Sequence, residues 1–251
     1  MSDKDSLGDR IKQGYEDAYR IHLPNRLPII LRLDGKGWHQ YVKGLTRPFD
    51  KNLISTLNET AIHLCRNIQG VKLCYLQSDE MSFLIFNSNF ETQGWFDNNL
   101  QKIISVSAGM ASSHFTSISD RVFGKIKPTC FDARAFVVPL DEVVNVMEFR
   151  QQDATRNSVQ QVARAHFSHK QCDNKNCSEL QELLFQEKGI NWNNLPISQK
   201  RGRCIIKVKT LKEGVNMSTG EDFKVERNEW VLDNEIPIFH EDREYIERYI
   251  K

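Results

Sequence analysis

The sequence predicts an α+β fold: a ferredoxin-like βαββαβ unit over residues 1–139, extended by C-terminal helices and a β-hairpin over residues 140–251. Three observations predict it. An apolar run ends abruptly at an aspartate, two alternating segments flank a short polar tip, and stretches of helical periodicity lie on either side of that pair. Residues 28–34 (PIILRLD) read as a buried strand closing at Asp34. Asp50 reads as the cap of a helix running to about Ile68, because Leu53, Leu57, Ala61, Leu64 and Ile68 recur at helical spacing and Gly70 ends it. From Val71 the pattern alternates through Leu73 and Tyr75, then through Met81, Phe83 and Ile85, with Ser78, Asp79 and Glu80 between the halves. That is the pattern of a hairpin. A helix over 95–118, with Leu100, Ile103, Ile104, Ser107 and Ala111 on one face, and a strand from Phe131 to Val138 closed by Pro139 complete the βαββαβ order.

The remaining residues read as helices near 141–168 and 177–188, a polar stretch from Asn191 to Arg203, and strands near 204–210 and 223–232. Asn216, Ser218 and Gly220 mark the turn between those strands. With no internal repeat, low-complexity tract or flexible linker, the C-terminal part is expected to pack on the core.

Bulk properties exclude little. Of the 251 residues 39% are apolar, and no run approaches the roughly 20 apolar residues that cross a bilayer, so no membrane partner is expected. Met1 to Arg10 is polar and lacks the apolar stretch of a secretory leader, and the six cysteines read as reduced thiols, giving a cytoplasmic expectation. Cys65 and Cys74 read as small core residues. Lys and Arg total 34 against 33 Asp and Glu, so a nucleic-acid partner would need a local basic patch.

The chemistry is concentrated in two carboxylates. Asp34 stands where a buried strand runs out and Asp79 at the tip of an apolar hairpin. In a βαββαβ sheet the first and second strands can lie side by side, which brings the pair together. A partly buried carboxylate is costly unless paired or metal-bound. Hard oxygen ligands suit Mg2+, and two such ions activate an attacking hydroxyl and stabilise a leaving oxygen in phosphoryl transfer. Against this, aspartate is also common in ordinary turns. The segment after Asp34 (Gly35, Lys36, Gly37, Trp38, His39) is a glycine-containing loop whose backbone can approach a phosphate or metal closely. Trp38 and His39 read either as core and surface residues or as partners stacking on a base. Lys36, Lys43, Arg47 and Lys51 add charge nearby. A second basic group (Arg150, Arg156, Arg164, His166, His169, Lys170) and a third (Lys200, Arg201, Arg203) are either RNA-backbone contacts or solubilising runs. His166, His169, Cys172 and Cys177 carry zinc-ligand chemistry, but they begin on a helix, and no structural zinc is expected.

These residues carry a resemblance. RLDGKGWH (32–39), QSDEMSF (77–83), FDAR (131–134), RQQD (150–153), NNLP (193–196) and KRG (200–202) occur in the order and spacing of the tRNA-histidine guanylyltransferase family. That family resembles a polymerase palm run backwards, adding nucleotides to the 5′ end of tRNA. The resemblance implies that Asp34 and Asp79 bind two Mg2+ ions with help from the Gly35 carbonyl, and that Glu80 tunes the catalytic site beside them. It implies that Lys36, Gly37, Trp38, His39 and Ser78 cradle a nucleotide, that Arg47 and Asp50 lie near further nucleotide contacts, and that Lys200 and Arg201 lie near a triphosphate. ATP and GTP are then substrates, tRNA the partner, and a homo-oligomer the expected assembly. Arg150, Arg156, Asn157 and Arg164 are the residues expected to face RNA.

One stretch departs from the family. Where the eukaryotic enzymes carry HINNLYNT, this chain has TRNSVQQV (155–162), in which only Asn157 is retained. The departure resembles the guanylyltransferase-like branch that repairs truncated tRNA 5′ ends, and sets a template-dependent 3′-to-5′ nucleotidyltransferase above a dedicated histidine-tRNA enzyme. A nucleotide cyclase or dinucleotide synthase on the same palm, and a non-catalytic RNA-binding module, are the rival classes.

Overall fold

The computed structural model describes residues 6–89, 92–124, 128–215 and 222–251. The expected turn at Asn216, Ser218 and Gly220 lies outside them. Helix α1 (Leu7–Ile11) runs through a π-helical turn (Lys12–Glu16) and a 3-10 turn (Asp17–Tyr19) toward β1 (Ile29–Gly35). Then come α2 (Trp38–Tyr41), α3 (Lys51–Asn67), β2 (Val71–Gln77), β3 (Glu80–Ile85), α4 (Leu100–Phe123) and β4 (Phe131–Val137). The C-terminal part comprises α5 (Val143–His166), α6 (His169–Cys172), α7 (Cys177–Lys188), α8 (Ile197–Arg201), β5 (Arg203–Val215), β6 (Asp222–Asp233) and α9 (Glu244–Glu247).

The strands form one antiparallel sheet in the order β4-β1-β3-β2-β5-β6. Its first four strands have the ferredoxin-like order, and β5 and β6 continue the sheet past β2. Strand alternation sends successive side chains to opposite faces. Leu31, Leu33, Met81, Phe83, Cys74 and Leu76 therefore pack under α3 and α4, against Leu57, Ala61, Leu64, Ala111 and Phe115. Ile30, Leu84, Leu73 and Tyr75 point the other way and meet Val143, Val144 and Met147 of α5, with Phe239, Tyr245 and Ile246 behind them. A third cluster joins α5 to α7 through Val159, Val162, Ala163, Leu180 and Leu184.

Three expectations need correction. Strands β1 and β2 are not neighbours, because β3 lies between them, pairing with both. The second core helix starts at Leu100 rather than 95: Phe96 and Asp97 have φ of 52°, and Asn99 caps the helix by accepting from the Lys102 amide. The C-terminal strands are longer than expected, and pairing of Leu73–Leu76 with Arg203–Ile206 makes them part of the main sheet. The Asp50 cap is as expected; its carboxylate accepts from the Leu53 amide at 2.9 Å, an interaction typically worth ~1 kcal/mol.

The join between β2 and β5 depends on Gly202. Its φ is +83°, and an added Cβ would sit 2.5 Å from the Leu76 carbonyl oxygen and 2.7 Å from the Tyr75 hydroxyl, which itself donates to the Arg201 carbonyl. Gly202→Ala is therefore expected to destabilise the protein by about 2–4 kcal/mol through combined strain and overpacking. Urea unfolding measures this, and an unchanged midpoint would show that the junction relaxes freely.

Candidate active site

β1 delivers Asp34 near its end, on the face that carries Ile30 and Arg32 and looks toward α5. The β2–β3 tip delivers Asp79, with Ser78 in a left-handed conformation (φ +49°). Because β1 pairs with β3, in register from Ile29–Ile85 to Leu33–Met81, the tip lies beside the end of β1. Gly35 fits the two together. An added Cβ there would lie 2.9 Å from Asp79 Oδ2 and 2.6 Å from Trp38 Cε3, so only a bare backbone can approach that carboxylate so closely. Burial pushes the Asp79 carboxyl up to about 7; a hydrogen bond from Ser78 opposes the rise and the negative charge of Asp34 adds to it. Two crowded carboxylates beside a half-buried glycine backbone are a hard oxygen donor set, which fits a divalent cation.

The carboxylates open into a cleft of about 330 Å³, which Arg150, Asn157 and Arg164 also line. Arg150 does not reach out from it. Its Nε and Nη2 donate to the two oxygens of Glu80, both at 2.7 Å, and Nη2 also donates to Asp153 at 2.8 Å. Burial works against the Arg150 charge, but Glu80 and Asp153 outweigh it and hold its pKa above the ordinary value. Arg150 is buried and neutralised, which corrects its expected place facing RNA. Glu80 is committed to Arg150 and accepts a further bond from Ser82, so it braces the sheet against α5. Arg156 is exposed and paired with Asp153, while Asn157 and Arg164 are exposed on the cleft wall.

A second, largely apolar pocket of about 280 Å³ adjoins the cleft, sharing Gln77, Ser78, Asn157, Gln161 and Arg164 with it. Leu45, Pro48, Phe49, Leu53, Ile54 and Leu57 form its apolar wall. Arg47 and Asp50 line it too. Burial raises the Asp50 pKa, but bonds from the Leu53 and Thr46 amides win and leave it below the usual carboxylate range. The loop after Asp34 is less uniform. Lys36 and His39 are exposed, the Lys36 amide donates to the Cys130 carbonyl at 2.8 Å, and Gly37 opens α2. Trp38 stacks on Tyr41 at 5.1 Å and tilts against Phe115 and Phe131, so it anchors the loop to the core and only borders the pocket.

The third basic run divides unexpectedly. Lys200 donates to the Asn193 carbonyl at 2.6 Å and sits over the Trp192 ring, and neither Lys200 nor Arg201 lines either cavity. Gly202 and Arg203 line the apolar pocket instead. Arg203 was expected only as the last member of that run, an RNA-backbone contact or a solubilising charge. Cys172 and Cys177 pack against the α5–α7 cluster, and among the described residues no three His, Cys, Asp or Glu gather closely enough to hold a metal ion. Among those residues no helix is long and apolar enough to cross a membrane.

An antiparallel sheet in this order, with a carboxylate pair at its end and helices on both faces, defines the class as a palm-type fold. The family model described as tRNAHis guanylyltransferase (Thg1) matches residues 8–139, and the chain belongs to that family of nucleotidyltransferases. It is 28% identical to a probable tRNA(His) guanylyltransferase of Drosophila melanogaster, over 75% of this chain and 70% of that one. It is 46% identical to a bacterial tRNA(His) guanylyltransferase (Thg1)-like protein solved in complex with ATP, with a TM-score of 0.87 over 98% of this chain and 99% of that one. The corresponding structure in complex with GTP gives 45% identity and a TM-score of 0.82 over the same shares. Membership in a nucleotidyltransferase family sets aside the non-catalytic RNA-binding module.

Removing Glu80 tests its reassignment. Glu80→Ala leaves the buried Arg150 with Asp153 alone, and a broken buried pair typically costs about 3 kcal/mol or more. Urea unfolding is expected to show that loss, while Mn2+ binding to the folded variant stays within about twofold of wild type, well under the ~1.4 kcal/mol that marks a tenfold change. A collapse of cation affinity at unchanged stability would give Glu80 a direct part in the metal site.

Proposed function

We propose that this chain is a template-dependent 3′-to-5′ nucleotidyltransferase that adds nucleotides to tRNA 5′ ends, restoring ends that have lost residues. The observation that carries the reading is the approach of Asp34, Asp79 and the Gly35 backbone at the mouth of a nucleoside-sized pocket. The likeness to ATP- and GTP-bound bacterial proteins supports nucleoside triphosphates as substrates. The departure at 155–162 supports repair over a histidine-tRNA role, because Asn157, Ser158, Gln160 and Gln161 of that stretch line the cavities and thus meet whatever binds there.

In this reading the apolar pocket holds the base and sugar, and the cleft holds the phosphates. Asp34, Asp79 and the Gly35 carbonyl would hold two Mg2+ ions, which when bound lower the pKa of an attacking hydroxyl and neutralise charge on phosphate. A tRNA 5′-monophosphate has no good leaving group, so it first attacks the α-phosphorus of ATP or GTP, which joins it to a nucleotidyl group and releases pyrophosphate. The 3′-hydroxyl of an incoming triphosphate then attacks that 5′ phosphate and releases AMP or GMP. A 5′-triphosphate end skips activation and releases pyrophosphate. Arg164, exposed on the wall shared by cleft and pocket, supplies a cation for phosphate in either step. The protein's share is positioning and electrostatics, while pairing with the opposite strand selects the base.

Asp34→Asn and Asp79→Asn are each expected to abolish nucleotide addition with circular dichroism unchanged, since an amide is a far poorer ligand for a hard cation. Substantial turnover by a folded Asp79→Asn protein would sink the assignment. Substrate choice needs several tRNAs lacking their first nucleotide, each offered the four triphosphates singly. The base complementing the unpaired template position is expected to be added to all of them, and mispaired additions to run about a hundredfold slower, as a displacement of ~1 Å costs. Addition of guanosine alone, to histidine tRNA alone, would instead mark a dedicated enzyme.

A further inference from the structure

A further cavity stands at the end of the sheet remote from the carboxylates. Asp34 lies near the end of β1 and Asp79 just before β3, whereas this cavity opens at Ile29, Gly70 and Ile85, where β1 and β2 begin and β3 ends. The length of β3 puts roughly 17 Å between the two, at about 3.4 Å per residue. The cavity shares no lining residue with the cleft or the apolar pocket. Its volume, about 310 Å³, is close to the 280 Å³ of the pocket that holds a base and sugar in the proposed reaction.

Its wall is braced. Trp95 is half-buried, lines the cavity and packs against the core under α3 and α4. The next three residues, Phe96, Asp97 and Asn98, have φ of 52°, 52° and 55°, a left-handed run that non-glycine residues rarely adopt. Their surroundings hold them there. Asn98 is buried and donates to Asn25 Oδ1 at 2.7 Å, the Asp97 carbonyl meets His22 Nδ1 at 2.7 Å, and any side chain at Gly94 would collide with Asn98 Oδ1. Backbone strain over-determined in this way concentrates at ligand sites. Two carboxamides set the polar character of the cavity. Gln69 Nε2 donates to the Gln93 carbonyl at 3.0 Å and Asn87 Nδ2 to the Thr92 carbonyl at 3.1 Å. Each amide is thus held by its nitrogen and keeps its oxygen unbonded among the described residues. Among those residues no carboxylate lines the cavity, Arg26 is its one cation, and Ile29 and Ile85 give it a buried apolar floor.

We infer that this cavity is a second nucleoside site, which seats an unpaired base carrying an exocyclic amino group. An unstacked base is held by an aromatic or guanidinium plane to lie on and by polar groups along its edge. Trp95 and Arg26 supply the first, and Gln69 and Asn87 the second. A carboxamide whose nitrogen is engaged only accepts. The pair therefore matches the N4 amino group of cytosine or the N6 amino group of adenine, and sets acceptor against acceptor with O4 of uracil. A phosphate is the poorer occupant, because one exposed arginine among neutral amides compensates its charge weakly. The base belongs either to a free nucleotide or to an unpaired stretch of RNA, and the same contacts serve both.

Photocrosslinking with 5-iodocytidine, followed by mass spectrometry of the labelled peptides, tests the site in the intact protein. The probes are 5-iodocytidine monophosphate and a hexacytidylate carrying one 5-iodocytidine. Both are expected to label Trp95, and CMP to protect it at about tenfold lower concentration than UMP, since the two differ at the edge that meets the amides. Asn87→Leu, with folding checked by thermal melting, is expected to reduce Trp95 labelling about tenfold while Mn2+ affinity at the carboxylates stays within about twofold. Stronger labelling by the hexanucleotide assigns the base to an RNA strand, and equal labelling assigns it to a free nucleotide; either upholds the site. Undiminished Trp95 labelling in a folded Asn87→Leu protein would overturn it. So would equal protection by UMP and CMP, or labelling confined to other residues, both read in wild type alone should the variant fail to fold. None of these outcomes depends on what the carboxylates catalyse.

Discussion

Two like charges held together, with no ion-pair partner among the described residues, set the terms for this structure. Asp34 and Asp79 repel each other, and burial raises the cost enough to push Asp79 toward neutrality at physiological pH. A chain keeps such a pair only where the surrounding fold over-determines it. Here β1 is locked between β3 and β4, and the tip carrying Asp79 ends the same β3 that pairs with β1. The carboxylates cannot separate without breaking the central ladder. Gly35 completes the constraint by allowing backbone where any side chain would collide with Asp79.

The wall opposite the carboxylates is held by a different device. Helix α5 has an apolar stripe through Val143, Met147 and Ala154, but its polar face looks into the cleft and gains nothing from burial. The Glu80–Arg150–Asp153 cluster fastens that polar region to the sheet at the point where hydrophobic packing gives out. Arg150 reaches Glu80 on β3 and Asp153 on its own helix, so one guanidinium ties the two layers together. Its forked geometry sets their separation, which a lysine at that position would not do. The cleft thus has a floor fixed by hydrogen-bonded strands and a wall fixed by a buried ion cluster.

The sequence was readable where physics acts locally. The strand ending at Asp34, the helix capped by Asp50 and the hairpin around Asp79 all follow from periodicity and capping, and each is present. What periodicity does not encode is which neighbour a strand takes, so the insertion of β3 between β1 and β2 was missed, as was the union of β5 with β2. The pairing of charges was equally hidden. Glu80 and Arg150 are 70 positions apart, and nothing in either segment says that they meet. Read singly, each looks like a free functional charge; read together they are structure. Trp38 was ambiguous for a related reason, since whether an aromatic stacks on a base or on Tyr41 is decided by the third dimension.

Backbone and side chains divide the labour in a way that bears on how substrate choice can change. The carboxylates depend on backbone: strand register, a hairpin tip and a glycine. The residues of 155–162 are side chains on one helix, alternating between the α5–α7 core at Val159 and Val162 and the cavities at Asn157, Gln160 and Gln161. Substituting the cavity-facing members alters what the wall offers an RNA or nucleotide without moving either aspartate, because the core-facing members and the Arg150 cluster still hold the helix. A fold that fixes its chemistry through backbone and its selectivity through side chains on separate elements leaves the second free to vary while the first stays rigid.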